Sequence, residues 1–273
     1  MPEMPEVETI ARDLRKAIIG KCVSKVELSG LPLRRPIADT FVETLPGRTI
    51  RRIHRRGKYL IAEMDPIAFW LIHLGMSGRI LYYPHAAGKA SHTHAAVRFT
   101  DASELHYRDH RRFGLMAAYE VPLLGDIPEV RALGLEPLGP GFGADWLYRE
   151  LRKSRQPIKS FLLDQKKIAG LGNIYVCEAL FHARLRPQRR CHTITRAEAA
   201  ALVPAIVGVL REAIRNRGTS FSDFFDSEGR LGYQQNHLRV FQRNGFKCRR
   251  CRSTIRRLRQ GNRSSFYCAG CQK

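Results

Sequence analysis

The 273-residue chain has no run of eighteen apolar residues, which argues against a transmembrane helix of ordinary length. Its first 20 residues are charged and amphipathic, unlike a secretory signal peptide. Its seven cysteines are an odd number, and four of them form two CxxC pairs, which favours a metal site over a disulfide framework. We therefore expect an intracellular, cytoplasmic protein without a membrane partner.

Acidic side chains are scarce compared with basic ones. The chain has 47 lysines and arginines against 25 aspartates and glutamates, a formal net charge of +22, and no acidic residue follows Glu228. Such a surface attracts phosphate, and nucleic acid is a better candidate partner than an anionic membrane. Hydrophobic residues make up 44% of the chain, which is enough for a sizeable core, and the length allows two or three domains.

The N-terminus contains a possible nucleophile. If Met1 is removed, Pro2 becomes a secondary amine at the chain end, and a terminal amine titrates near pH 8 rather than about 10.4 as in lysine. At pH 7.5 roughly a quarter of such amines are uncharged, so Pro2 could form a Schiff base. Glu3, directly beside it, is a candidate general acid and base. The structural alternative is that Pro2 and Glu3 are a flexible start of the chain with an N-capping role.

Hydrophobic periodicity divides the chain into regions. Residues 5–19 have apolar side chains at helical spacing, and residues 21–121 contain short alternating segments separated by turns, which predict a β-sandwich or barrel. Within that region, Arg51–Lys58 reads as a basic turn leading into a strand. The predicted strands are Val23–Leu28, Tyr59–Met64, Ala68–Leu74, Arg79–Tyr83, Ala95–Phe99, Glu104–Arg108 and Leu115–Val121.

A helical region follows a linker rich in glycine and proline at residues 133–143. Asn173 ends a glycine-rich turn and is a good N-cap for the next helix, whose first backbone N–H groups could hold a phosphate. Thr195–Glu198 is a capping box that opens a long helix ending near Arg217. Residues 218–237 then form a long loop, and its phenylalanines favour a functional segment over plain disorder.

The strongest local signal is the pair of CxxC motifs near the C-terminus, which suit a tetrahedral structural zinc ion. The surrounding segment is too small for a core of its own, so the metal should supply most of its folding energy. The predicted zinc ligands are Cys248, Cys251, Cys268 and Cys271. Cys22, Cys177 and Cys191 lack partners at useful spacing and are left without a role.

Three motifs together resemble the formamidopyrimidine-DNA glycosylase family: Pro2–Glu8, Gly170–Tyr175 and the four-cysteine finger. The resemblance covers the whole chain and implies an α+β protein. It implies an N-terminal helix plus β-sandwich domain at 1–132, the linker at 133–143, a helix–two-turn–helix DNA-binding domain with a lesion loop at 144–237, and a zinc finger at 238–273. The family excises oxidised purines, such as 8-oxoguanine and formamidopyrimidines, and then cuts the abasic strand.

The resemblance also implies roles for individual residues. Pro2 would be the nucleophile and Glu3 the general acid and base, while Lys58 would assist catalysis and Arg263 would grip phosphate. The DNA-contacting positions would be His73, Met76, His92, Arg111, Phe113, Lys159 and Asn173, of which Met76, Arg111 and Phe113 fill the space left by the flipped nucleotide. The lesion loop would comprise Thr219, Ser220, Phe221, Ser222, Asp223 and Phe224. Glu6 and Glu178 match acidic positions that support the site.

The expected partner is double-stranded DNA containing oxidised bases or abasic sites, bound by a monomer. The expected cofactor is one structural zinc ion, with no catalytic metal. Two other functions are compatible with parts of the sequence. An endonuclease VIII-type glycosylase would prefer oxidised pyrimidines, and a non-catalytic zinc-finger protein would bind DNA without using a terminal amine.

Overall fold

The computed structural model describes residues 2–221 and 224–273. Its contacts divide the chain into two compact units. Unit 1 comprises the chain up to Ala132 together with Asn216–Gln235, and unit 2 comprises Leu133–Arg215 and Asn236–Lys273. Unit 1 therefore includes the loop after the long helix, a segment that chain order alone would place in the helical domain.

Unit 1 begins with helix α1, Met4–Ala17, whose apolar side chains recur every three or four residues and face the core. Eight strands form two four-stranded antiparallel sheets, in the orders β1-β6-β7-β5 and β2-β3-β4-β8. The strands are β1 Val23–Leu28, β2 Thr49–Arg56, β3 Tyr59–Asp65, β4 Ala68–His73, β5 Arg79–Tyr83, β6 Thr93–Phe99, β7 Glu104–Arg108 and β8 Leu115–Tyr119. Two short helices complete the unit, α2 Thr40–Thr44 and α3 Pro128–Arg131.

The main core of unit 1 is built from α1 and both sheets. Trp70 on β4 and Phe99 on β6 are almost fully buried there, and Phe224 from the loop after the long helix packs into the same cluster. The loop also contacts the edge of one sheet, because the backbone N–H of Tyr82 on β5 donates to the carbonyl of Ser227 at 3.0 Å. Packing and backbone hydrogen bonding thus join residues 216–235 to the N-terminal sandwich.

The prediction that Arg51–Lys58 is a turn is wrong for most of its length. Thr49–Arg56 is an edge strand paired with β3, and the turn lies at Gly57 and Lys58. The alternation of apolar and polar residues is hidden by a β-bulge between Ile50 and Arg52, because the extra residue breaks the two-residue period.

Unit 2 contains four helices and a small sheet. The helices are α4 Ala144–Arg152, α5 Ile158–Leu163, α6 Asn173–His182 and α7 Arg196–Arg215, and the strands are β9 Ile255–Gln260 and β10 Arg263–Cys268. The predicted capping box at the start of α7 is confirmed, since Thr195 N donates to Glu198 and Glu198 N donates to the Thr195 hydroxyl. The predicted N-cap of α6 is wrong by one residue, because Gly172 is the cap and Asn173 is the first helical residue.

Among the described residues, three short 3-10 helices lie at Leu124–Asp126, Cys191–Thr193 and Gln234–His237. No helix in the described part of the chain is long and apolar enough to cross a membrane.

Candidate active site and nucleic-acid interface

The N-terminal residues are held by one carboxylate. Pro2 and Glu3 are buried at the start of α1, and Glu6 in the first turn accepts the N–H of Glu3 at 2.8 Å through Oε2. Its other oxygen, Oε1, accepts the N–H of Thr219 at 2.7 Å. Glu6 therefore connects the candidate nucleophile and acid to the first residue of the lesion loop. The family resemblance marked Glu6 as a supporting position, but nothing in the sequence revealed a contact that spans 213 residues.

Lys58 and His73 lie close together at one end of the β3–β4 pair. Lys58 lies in the β2–β3 turn, 7% exposed, and the next residue, Tyr59, pairs with His73 at the end of β4. Burial, together with the nearby cations Lys58 and Arg34, lowers the pKa of His73 to about 4. His73 is therefore neutral at pH 7. Its Nδ1 accepts the N–H of Gly75 at 3.1 Å, so the ring proton lies on Nε2, which can donate to a phosphate.

Met76, Arg111 and Phe113 lie on two adjoining loops, after β4 and after β7. Met76 is 36% exposed and Phe113 is 47% exposed, although both are large apolar side chains. The guanidinium carbon of Arg111 lies 5.0 Å from the Phe113 ring centroid, a cation–π contact that keeps the two side chains together. With Arg34 and His73 they border a cavity of about 600 Å³. The structure thus brings four of the predicted DNA-contacting residues to one surface.

Asp109 holds these two loops together, and the sequence did not single it out. Its side chain is buried and accepts the Ser77 hydroxyl at 2.6 Å and the Gly114 N–H at 2.8 Å. The loops approach so closely that a Cβ on Gly75 would lie 2.4 Å from the carbonyl carbon of Phe113. The clue that was available is the position of Asp109 in a short loop that ends at Gly114, where a carboxylate can accept backbone N–H groups.

His92 lies beside the same loop. It is exposed, its φ is 63°, and its carbonyl accepts the N–H of Asp109 at 3.0 Å. The structure therefore places the predicted contact at His92 next to the surface formed by Arg111 and Phe113.

The predicted lesion loop is described at both ends. Thr219 and Ser220 are buried, Phe221 is 46% exposed, and Phe224 is buried in the core of unit 1. The Ser220 hydroxyl donates to the Phe224 carbonyl at 2.9 Å and accepts the Gly232 N–H at 2.9 Å. Ser222 and Asp223 lie outside the described residues.

In unit 2, the finger hairpin is attached to the helices through Ser264. Its carbonyl accepts Lys159 Nζ at 2.8 Å and Asn173 Nδ2 at 3.1 Å, and Lys159 also donates to the Ser265 hydroxyl at 2.6 Å. Lys159 is 1% exposed, so its amine is committed to the hairpin next to the exposed Arg263. These contacts bring Asn173, Lys159 and Arg263 to one region of unit 2, and they favour a supporting role for Lys159 over direct DNA contact.

Glu178 orders the segment that leads into the finger. Its fully buried carboxylate accepts the N–H groups of Arg239, Val240 and Phe241 at 2.8–2.9 Å. Burial raises the pKa of this carboxyl despite those hydrogen bonds. Glu178 therefore orders the entry to the finger, and its support of the active site stays a prediction.

The four finger cysteines form the expected cluster. Their sulfur atoms all lie within 4.8 Å of one another, with Cys251 and Cys268 3.4 Å apart and Cys248 and Cys271 3.9 Å apart. Thiolates at about 2.3 Å from a tetrahedral zinc ion have sulfurs about 3.8 Å apart, so the four side chains fit the metal. With four protein ligands the site would leave no open position, which identifies it as structural.

Models of known protein families match three regions of the chain. Residues 1–116 match the model for the formamidopyrimidine-DNA glycosylase N-terminal domain, 133–224 match its H2TH domain, and 245–273 match the zinc finger found in FPG and IleRS. The formamidopyrimidine-DNA glycosylase of Ruegeria pomeroyi is 42% identical over 100% of both chains.

Two of the solved structures that share the fold are complexes with DNA. One is the Lactococcus lactis Fpg with DNA containing an abasic site, with a TM-score of 0.91, 32% identity and 99% of both chains covered. The other is MutM with DNA containing carbocyclic 8-oxo-G, also with a TM-score of 0.91 and 32% identity, over 100% of both chains. Since all three regions match one family, and a relative is similar over the full length, the chain belongs to the formamidopyrimidine-DNA glycosylase family.

Proposed function

We propose that the protein is a bifunctional DNA glycosylase and AP lyase of base excision repair, which removes 8-oxoguanine and formamidopyrimidines from double-stranded DNA. The observation that carries the proposal is the Pro2–Glu3 terminus, held by Glu6 at the start of α1, in a chain of this family. A binding protein would not need a terminal amine and a neighbouring carboxyl.

In the first chemical step, a bond between the Pro2 nitrogen and C1′ replaces the glycosidic bond. With Met1 removed, the Pro2 nitrogen attacks C1′ of the damaged nucleotide, and the bond from C1′ to the base breaks, so that the base leaves with a proton. Glu3 donates a proton to the ring oxygen as the C1′–O4′ bond opens. The nitrogen gives up its proton, which balances the proton carried away by the base, and uses its electron pair to form an iminium ion with C1′.

The second step cuts the strand. The iminium ion acidifies the proton on C2′, and its removal expels the 3′ phosphate by β-elimination. A further elimination expels the 5′ phosphate, and water then releases the sugar fragment from Pro2. Each elimination needs only a carboxylate that accepts the proton and an iminium ion that accepts the electron pair. The role of zinc is therefore to fold the finger.

DNA binding in this proposal must extrude the damaged nucleotide, at an energetic cost of a few kcal/mol. Met76, Arg111 and Phe113 offset that cost because two apolar side chains and a guanidinium can occupy the vacated space. Lys58, the neutral His73, His92, Asn173 and Arg263 contact phosphates. The protein acts as a monomer on chromosomal DNA, which would keep it in the cytoplasm and at the nucleoid.

Borohydride trapping tests the reaction class. Purified protein is mixed with an 8-oxoguanine:C duplex and reductant, and the cross-linked peptide is identified by mass. We expect a cross-link at Pro2. If protein with a verified Pro2 terminus binds the duplex and gives no cross-link, the proposed chemistry is wrong. Faster cleavage of thymine glycol than of 8-oxoguanine would instead favour the pyrimidine-specific alternative.

A further inference from the structure

The lesion loop is held at its two ends by an ion-pair network, the loop anchor, formed by Asp13, Arg217 and Asp226, in which both carboxylates are buried. One nitrogen of Arg217, Nη2, donates to Asp13 Oδ2 at 2.7 Å and to Asp226 Oδ2 at 2.5 Å. The carboxylate side chains are 7% and 1% exposed, whereas the Arg217 side chain is 34% exposed. A single cation thus bridges two carboxylates that water reaches poorly.

Asp226 also fixes the far side of the loop. Its Oδ1 accepts the N–H groups of Glu228 at 3.0 Å and Arg230 at 2.8 Å, and its own N–H donates to the Arg230 carbonyl at 2.9 Å. These bonds close a turn around Asp226. Arg217 precedes the loop and Asp226 follows it, so one guanidinium ties the two ends together.

Helix α1 provides two attachment points for the same stretch of chain. Asp13 binds Arg217, and Glu6 binds the N–H of Thr219. These acids are seven residues apart, two helical turns, and therefore share one face of the helix. Arg217 and Gly218 between the attachments both have positive φ, 57° and 81°, so the backbone bends sharply where it is held.

We propose that the loop anchor is a positioning device for base removal. By fixing Arg217 and Asp226 it sets where Thr219, Ser220 and Phe221 lie, and these residues then contact the extruded base. Holding both ends in advance removes conformational freedom that substrate binding would otherwise have to restrict. This inference rests on the proposed function and adds positioning residues to it.

The loop anchor should affect base release and strand cleavage differently. An abasic site has no base for the loop residues to contact, whereas Pro2, Glu3 and Glu6 are needed for both substrates. Weakening the anchor should therefore slow the release of 8-oxoguanine and spare strand cleavage at an abasic site prepared in advance. A general loss of folding would slow both reactions alike.

Three substitutions each remove one charge from the loop anchor. Asp226→Asn keeps an oxygen for the two turn N–H groups and removes the charge facing Arg217 and Arg230, whose Nε also donates to Asp226 Oδ2 at 3.0 Å. Arg217→Asn removes the guanidinium, and asparagine tolerates positive φ better than most residues. Asp13→Asn removes the negative charge on α1 that faces Arg217. The matched control is Glu27→Gln, which changes a carboxylate to an amide in a half-exposed ion pair on β1.

The readouts are single-turnover excision of 8-oxoguanine and cleavage of a preformed abasic duplex, with a thermal melt for each variant. We expect excision to slow about tenfold or more in each anchor variant, as for a misplaced positioning group, with abasic cleavage within about twofold of wild type. Arg217→Lys, which keeps one cationic nitrogen, should recover most of the excision rate. Glu27→Gln should change neither reaction.

Equal slowing of both reactions, or unchanged excision in all three anchor variants, would overturn the inference. The proposed function is judged separately on the wild-type protein. If the wild type fails to excise 8-oxoguanine, the function is wrong. If it excises 8-oxoguanine and the anchor variants do so equally well, only the anchor inference is wrong.

Discussion

At the scale of single residues, Glu6 is the point where the catalytic terminus and the lesion loop meet. Its two oxygens each accept one backbone N–H, so glutamine at this position would turn one acceptor into a donor facing a donor. We predict that Glu6→Gln lowers the free energy of unfolding by about 1.5–3 kcal/mol, the range for a lost hydrogen bond to a charged group.

The same substitution should slow excision and abasic cleavage together, because Glu3 is displaced in both reactions. Urea denaturation and single-turnover rates check this prediction, with Glu27→Gln as the control. Normal cleavage of abasic DNA by a folded Glu6→Gln protein would contradict it.

His73 should make the stability of the protein depend on pH. Its folded-state pKa is about 4, below the ordinary value of 6.5, so the unfolded chain takes up the proton first as the pH falls. We predict that the stability contributed by this residue is fully present above pH 6.5 and is lost between pH 6.5 and about 4, at up to about 1.4 kcal/mol per pH unit.

The measurement is urea unfolding at pH 7 and pH 5 for wild type and His73→Asn, whose amide oxygen can still accept the Gly75 N–H. The stability difference between the two pH values should be smaller in the variant. Identical differences in the two proteins would show that His73 does not contribute.

At the scale of elements, the loops that carry Met76 and Phe113 depend on one close approach of their backbones. Gly75 has a φ of 61° and no room for a Cβ against Phe113. We predict that Gly75→Ala destabilises the protein by about 1–3 kcal/mol and weakens nucleotide extrusion, because the two loops must separate. Gly88→Ala is the control, since Gly88 has no heavy atom within 4 Å and needs no positive φ.

Extrusion is followed by the fluorescence of 2-aminopurine placed beside the lesion. The signal should rise more slowly with Gly75→Ala than with Gly88→Ala or wild type. Equal traces for all three proteins would mean that loop contact does not govern extrusion.

Elements with strong periodicity were predictable, and elements shaped by distant contacts were not. Strands β1, β5 and β7 have the predicted bounds, and α1 follows its apolar spacing. Strand β2 was missed because its bulge and its exposed cations resemble a turn. Asn173 was taken for a cap from its residue type, although its side chain bonds to Ser264 instead.

The candidate site was predictable where a motif carries chemistry, as at Pro2, Glu3 and the four cysteines. The supporting residues were harder to find, because Asp109 and Arg217 acquire their roles only from loops and helices brought together by folding. The assignments of individual site residues, and the domain boundaries, stay predictions.

At the scale of the whole molecule, zinc should control DNA binding more than the chemistry of the N-terminus. We predict that removing zinc with a strong chelator unfolds the finger and lowers duplex affinity at least tenfold, because the hairpin with Arg263 loses its support. Zinc content, circular dichroism and duplex binding are measured before and after readdition of zinc. Full affinity in zinc-free protein would contradict the prediction.

The net charge of +22 predicts affinity that falls steeply with salt. If Arg263 contacts one phosphate, Arg263→Ala should reduce the slope of log affinity against log salt by about one. Binding is titrated from low to high salt with an undamaged duplex, which isolates phosphate contacts from base recognition. An unchanged slope would remove Arg263 from the phosphate-binding set.

Because residues 216–235 belong to the first unit, the two units cannot be expressed separately by dividing the gene at one point. The polypeptide passes from one unit to the other three times, so neither unit corresponds to a single uninterrupted stretch of gene. A fragment ending at Ala132 would lack Phe224 and would expose an apolar gap in its own core. Such a fragment should aggregate on expression, and supplying the missing twenty-residue segment through a short designed linker should restore its solubility.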